Sequence, residues 1–68
     1  MVTVPEVEKA IRSGLIAHFE YKGEVRVVNP VEMLDSKNGA EVLIGQEAGK
    51  GWRRYSLDKM GKISLHNS

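Results

Sequence analysis

The sequence predicts a mainly β protein with one short N-terminal helix, its five to six short strands forming a small, strongly bent sheet or barrel. Three observations carry this expectation. Apolar residues recur at helical spacing only in the first stretch, at Val4, Val7, Ala10 and Ile11. From Leu15 onward the period drops to two, and the alternating runs are short. Glycine-containing turn signals separate those runs. A chain of 68 residues has room for a single domain, spanning residues 1–68, that buries only about 60% of the surface it exposes when unfolded.

The helix is expected from about Val4 to Ser13. Thr3 and Glu6 have capping-box spacing, Pro5 is tolerated in a first turn, and Gly14 is a natural stop. A helix this short is marginal alone and must lie with its apolar stripe against the rest of the chain. Strands then run from about residue 15 to residue 66. Leu15, Ala17, Phe19 and Tyr21 alternate with Ile16, His18 and Glu20, and Lys22-Gly23-Glu24 supplies a hairpin turn into Val25–Val28. Asn29-Pro30 is read as the end of that strand, with Val31–Leu34 as a short extended continuation. Asn38-Gly39 is the strongest turn signal, since both residue types accept positive φ. The continuous apolar run Val42-Leu43-Ile44 suggests a central strand covered on both faces. Residues 47–51 read as a flexible connector, Asp58–Met60 as a tight or 3₁₀ turn, and Ile63 with Leu65 as a last short strand.

Composition excludes several classes. The chain is 41% hydrophobic and 28% charged, which fits a folded globular protein better than a disordered one. It has no cysteine, hence no disulfide framework and no thiolate metal site. No apolar run approaches membrane-spanning length and the first residues lack a signal-peptide pattern, so a cytoplasmic, soluble protein without membrane partners is expected. The net charge of +1 is unevenly distributed. Residues 1–49 hold five Lys/Arg against eight Asp/Glu, whereas residues 50–68 hold five against the single Asp58. Such a split suggests a local cationic surface for an anionic partner.

That basic region contains Gly51-Trp52-Arg53-Arg54-Tyr55-Ser56-Leu57. In an extended chain Arg53, Tyr55 and Leu57 share one face, and Trp52, Arg54 and Ser56 the other. Tyr55 and Leu57 suit a core; Trp52 and Arg54 suit a surface, where an indole stacks on a base and a guanidinium grips phosphate. Arg53, on the Tyr55 face, must lie at a mouth or be paired, because an unpaired buried charge is too costly. Arg26, Arg53 and Arg54 are the candidate phosphate contacts, Lys50 an assisting cation, Trp52 the stacking platform, and Tyr21 the more exposed of the two tyrosines. His18 and Glu20 on one strand face supply two ligands without a third, so no metal is expected, and His66 falls in a frayed tail. Residues 45–51 lack the length, the terminal Ser/Thr and the following helix of a phosphate-binding loop. No nucleophile–base arrangement is present, so neither catalysis nor a cofactor is expected.

Taken in order, Ala10-Ile11, Ile16–Tyr21, Arg26-Val27-Val28-Asn29-Pro30, Gly39–Leu43 and Arg53–Met60 resemble a WYL domain, here as a short stand-alone member. The last piece is the most specific: Arg53, Tyr55, Leu57, Asp58, Lys59 and Met60 fall on the family's Arg, Phe, Leu, Asp, Arg and Ile. The triplet that names the family is Glu41-Val42-Leu43 here, and Val31 follows Pro30 where many members have His. The resemblance implies an Sm-like, SH3-type β-barrel. It also implies a ligand-sensing or nucleic-acid-binding role in bacterial transcriptional regulation, with single-stranded nucleic acid or a nucleotide-like anion as partner. The alternative is a protein-interaction or oligomerisation module, as a homodimer or with another protein, that binds no nucleic acid.

Overall fold

A computed structural model describes residues 4–35 and 41–67. It is mainly β with one helix: α1 Val4–Ser13, β1 Ile16–Tyr21, β2 Glu24–Asp35, β3 Glu41–Glu47, β4 Gly51–Ser56, a 3₁₀ turn at Leu57–Lys59, and β5 Ile63–His66. All five strands join one antiparallel sheet in the order β4-β3-β2-β1-β5. Thr3 and the turn expected at Asn38-Gly39 lie outside the described residues.

The helix ends as its sequence requires. Gly14 takes φ 66° and the Leu15 N–H reaches back to the Ala10 carbonyl at 2.9 Å, the long return bond of a Schellman cap. Val7 and Ala10 are buried, and Val4 and Ile11 pack beside them. Between β1 and β2 the two-residue turn holds Lys22 at φ 53° and Gly23 at φ 80°, the paired positive values of a type I′ hairpin.

The inner face of the sheet is lined by Ala17, Phe19, Tyr21, Val28, Leu43 and Tyr55, closed by Val7 from the helix and by Leu57 and Met60 after β4. Tyr21 and Tyr55 measure how far the sheet bends. They stand on β1 and β4, with two strands between them; in a flat sheet that separation is roughly 14 Å. Their ring centroids are 5.1 Å apart, edge to face, and the Tyr21 hydroxyl accepts the Ser56 N–H at 3.1 Å. The sheet therefore curls until its first and fourth strands touch through side chains. Among the described residues no β4–β5 pairing closes it into a barrel.

The bend has a local cause. β2 does not end at Pro30, as expected from its imide, but continues to Asp35 through a shift of register between Pro30 and Glu32. A bulge is where a strand tolerates proline, because a ladder bond is already interrupted there, and it sharpens local twist. Opposite Pro30 stands Gly45, where a Cβ would come within 2.6 Å of the Asn29 carbonyl oxygen and 2.8 Å of Val28 Cγ1. The absence of a side chain lets the two backbones close.

Two further expectations are revised. β3 is central, between β2 and β4, but only its inner face is fully covered: Leu43 is buried whereas Val42 and Ile44 are half-buried. Residues 47–51 form a tight turn, with the Lys50 N–H bonded to the Glu47 carbonyl at 2.9 Å and Gly49 at φ 77°. The expected helix, the first hairpin and the 3₁₀ turn all stand where the sequence placed them, the last within a residue.

Candidate nucleic-acid interface

Alternation along β3 carries Leu43, Gly45 and Glu47 to the inner face, so the last of these delivers a carboxylate to the rim of the core. Glu47 is 6% exposed. Three donors converge on it from three places in the chain. Tyr55, across the hairpin on β4, donates its hydroxyl to Glu47 Oε1 in a short hydrogen bond. Arg26 Nη1, from β2, lies 3.4 Å from both carboxylate oxygens. Lys50 Nζ, from the turn, lies 3.4 Å from Oε2 and 3.9 Å from the exposed Glu24. Arg26 Nε additionally donates to the Tyr21 carbonyl at 3.3 Å.

These neighbours set the protonation states. The Tyr55 hydroxyl, followed by Arg26 and Lys50, holds the Glu47 carboxyl below its ordinary range against the opposing effect of burial. Burial, reinforced by the Glu47 carboxylate, pushes the Tyr55 hydroxyl well above its ordinary value, against the smaller pull of the Arg26 and Arg53 charges. Glu47 is thus an ionised centre and Tyr55 a neutral donor to it.

The arrangement assigns different positions to the residues singled out in the sequence. Arg26 and Lys50 are engaged by Glu47, which neutralises much of the charge either would offer to a phosphate. Tyr21 is the less buried of the two tyrosines, at 9% exposed against 2% for Tyr55, yet it lies in the core and not on the binding surface: its ring packs against Phe19 and Tyr55, and its hydroxyl accepts the Ser56 N–H. The β4 residues behave differently. Trp52 is 61% exposed, and Arg53 and Arg54 are both exposed with no ion-pair partner among the described residues. Trp52 and Arg54 lie on the outer face, while Arg53 shares the Tyr55 face at its solvent-facing edge. With Ile44 of β3 they line an open depression of about 470 Å³. β4 is an edge strand, with no further strand paired to it among the described residues.

Glu47 falls in the stretch expected as a connector, yet it ends β3 and anchors the site. The available signal was its parity with Leu43 and Gly45. His66 is not in a frayed tail but in β5, where its ring centroid lies 4.1 Å from that of His18 with the planes tilted by 39°, and its Nε2 lies 2.9 Å from Ser64 Oγ. Two imidazoles do not complete a metal site, and among the described residues no group of three or more His, Cys, Asp or Glu is gathered. Among the described residues no helix is long and apolar enough to cross a membrane.

Comparison of the chain with family models, with curated proteins and with solved structures finds no match in any of the three.

Proposed function

We propose that this chain is a WYL-like domain of the Sm-like, SH3-type barrel class, a non-catalytic, cytoplasmic module that binds single-stranded nucleic acid in bacterial transcriptional regulation. The observation that carries the binding role is the surface of β4: a solvent-exposed indole beside two arginines that no described carboxylate neutralises, all on an edge strand of the sheet. Stacking on an aromatic contributes about 1–3 kcal/mol per base without regard to sequence, and arginines on the same strand follow the phosphates. The family reading is supported by the segment Arg53–Met60, and the barrel reading by a bend that brings β1 and β4 into side-chain contact. Arg26 and Lys50 then serve the fold beneath the binding strand.

The test is a titration of Trp52 fluorescence with short single-stranded DNA and RNA at low and physiological salt, with the double variant Arg53→Ala, Arg54→Ala as control. Saturable quenching that weakens with salt and is lost in the double variant is the expected result. No response at low salt overturns it.

One observation favours a second reading, the protein-interaction module. Val31 and Leu34 are 44% and 41% exposed, and among the described residues β4 and β5 are the two edge strands. Light scattering over a concentration series separates the two. A stable oligomer whose size ignores added oligonucleotide supports the interaction module.

A further inference from the structure

Past the bulge at Pro30 the register runs without interruption and sets two rows across the outer face of β2, β3 and β4. One row is Glu32, Ile44 and Arg54; the next is Leu34, Val42 and Ser56. Leu34 is exposed, and Val42 and Ile44 are half-buried. Glu32 and Arg54 are exposed, and neither has an ion-pair partner among the described residues. An apolar centre therefore lies between a carboxylate on one flank and a guanidinium on the other. Neighbouring strands are about 4.8 Å apart, so Glu32 and Arg54 stand two strand spacings apart with Ile44 midway between them.

We propose that this face is a two-fold interface with a second copy of the chain, centred on Ile44 and oriented by Glu32 and Arg54. The inference rests on the protein-interaction reading above, to which it adds the partner, the face and the axis. Two sheets packed face to face lie about 10 Å apart with their strands within about 30° of each other. A two-fold axis running along β3, midway between the sheets, exchanges the flanks. Glu32 of each copy then meets Arg54 of the other, while Val42 and Ile44 meet their own counterparts. An axis running across the strands would instead oppose Glu32 to Glu32 and Arg54 to Arg54, and like charges in that position repel. The pattern of charge is thus complementary to itself under one axis only, as a two-fold interface requires. An apolar centre with charges at its rim is also the usual layout of such a contact. The face is small beside the roughly 800 Å² per partner of a standard interface, so the dimer is weak and reversible. Arg54 takes part in the nucleic-acid reading as well, so a bound strand and a second copy exclude each other.

Sedimentation equilibrium at low salt without nucleic acid, from about 10 μM to about 1 mM chain, tests the assignment with the charge-reversed variants Glu32→Arg and Arg54→Glu. Each reversal alone sets like charges together at both contacts and is expected to weaken self-association by roughly ten-fold. An equimolar mixture of the two variants restores opposite charges at both contacts, because one carries two cations on its flanks and the other two carboxylates. The mixture is therefore expected to dimerise within about three-fold of the intact chain, although neither variant does so alone. Both positions are on the surface, and an unchanged circular-dichroism melt at low concentration confirms that the variants fold. Self-association that survives either reversal, or a mixture no stronger than the single variants, overturns this inference and leaves the interaction reading to another face. An intact chain that stays monomeric at every concentration overturns both the inference and self-association as a form of that reading.

Discussion

Arg26 and Glu47 stand twenty-one positions apart in sequence, and Arg26 Nη1 reaches both carboxylate oxygens of Glu47 at 3.4 Å where β2 meets the end of β3. This ion pair separates the cations that support the fold from those that remain available to a partner. Arg26 and Lys50 belong to the first group; Arg53 and Arg54 belong to the second.

Removing the shared carboxylate should be the most damaging change at this junction. Glu47→Ala leaves Arg26 half-buried without its counter-ion and the Tyr55 hydroxyl without its acceptor. Breaking a fully buried pair costs about 3–5 kcal/mol, and the exposure of Lys50 lowers the expectation here to about 2–3 kcal/mol. Urea unfolding of the variant measures it. A loss below about 1 kcal/mol would show that the junction is replaceable by water.

The same groups impose a window of pH. Glu47 titrates below its ordinary value in the folded chain, so its contribution is complete above roughly pH 4.3 and is lost as pH falls through the lower folded value. Tyr55 behaves in the opposite sense. Its folded value is raised, so its contribution is complete below roughly pH 10 and declines above that, where the unfolded chain ionises first. Between these limits neither Glu47 nor Tyr55 imposes a slope on stability against pH. Glu47→Gln should flatten the acid limb, and Tyr55→Phe should remove the alkaline one at a cost of about 1–2 kcal/mol for the lost hydrogen bond.

Gly45→Ala tests the bend. The new methyl meets the Asn29 carbonyl oxygen and Val28, and the former is backbone that cannot rotate away. A loss of about 1–3 kcal/mol in thermal or urea unfolding is expected. The substitution should also weaken the Tyr21–Tyr55 contact, which the near-ultraviolet circular dichroism of the tyrosines reports.

Single arginine variants should separate support from binding. Arg54→Ala is expected to leave the melting temperature unchanged while reducing the salt slope of oligonucleotide binding by about 0.7, the value for one phosphate on a single strand. Arg26→Ala should do the reverse, costing about 2 kcal/mol of stability with little change in slope. A matching loss of slope in both variants would place Arg26 on the binding surface.

What the sequence made legible was local. The helix could be read from Val4 to Ser13 because its stripe and its Gly14 cap lie within a few residues, and the first hairpin because Lys22-Gly23 names its own turn. Exposure of Trp52 and Arg54 followed from alternation along one strand. The rest depended on partners distant in the chain. Pro30 looks like a strand end until Gly45 is set opposite it, and Glu47 looks like loop until Arg26 and Tyr55 are brought to it. Tyr21 shows the same dependence: its place beside a turn makes it the less buried of the two tyrosines, but only the bend, which delivers Tyr55 onto its ring, seats it in the core.

The position of β4 at the edge has a consequence for how the chain behaves in a crowded cell. An exposed edge invites another copy to add itself as a further strand, which is the first step toward a fibril. Two copies of Gly51–Ser56 meeting antiparallel about their midpoint would set Arg53 opposite Arg54 twice over, and like charges directly opposed across a ladder repel. In that register the two arginines would oppose self-polymerisation through the edge.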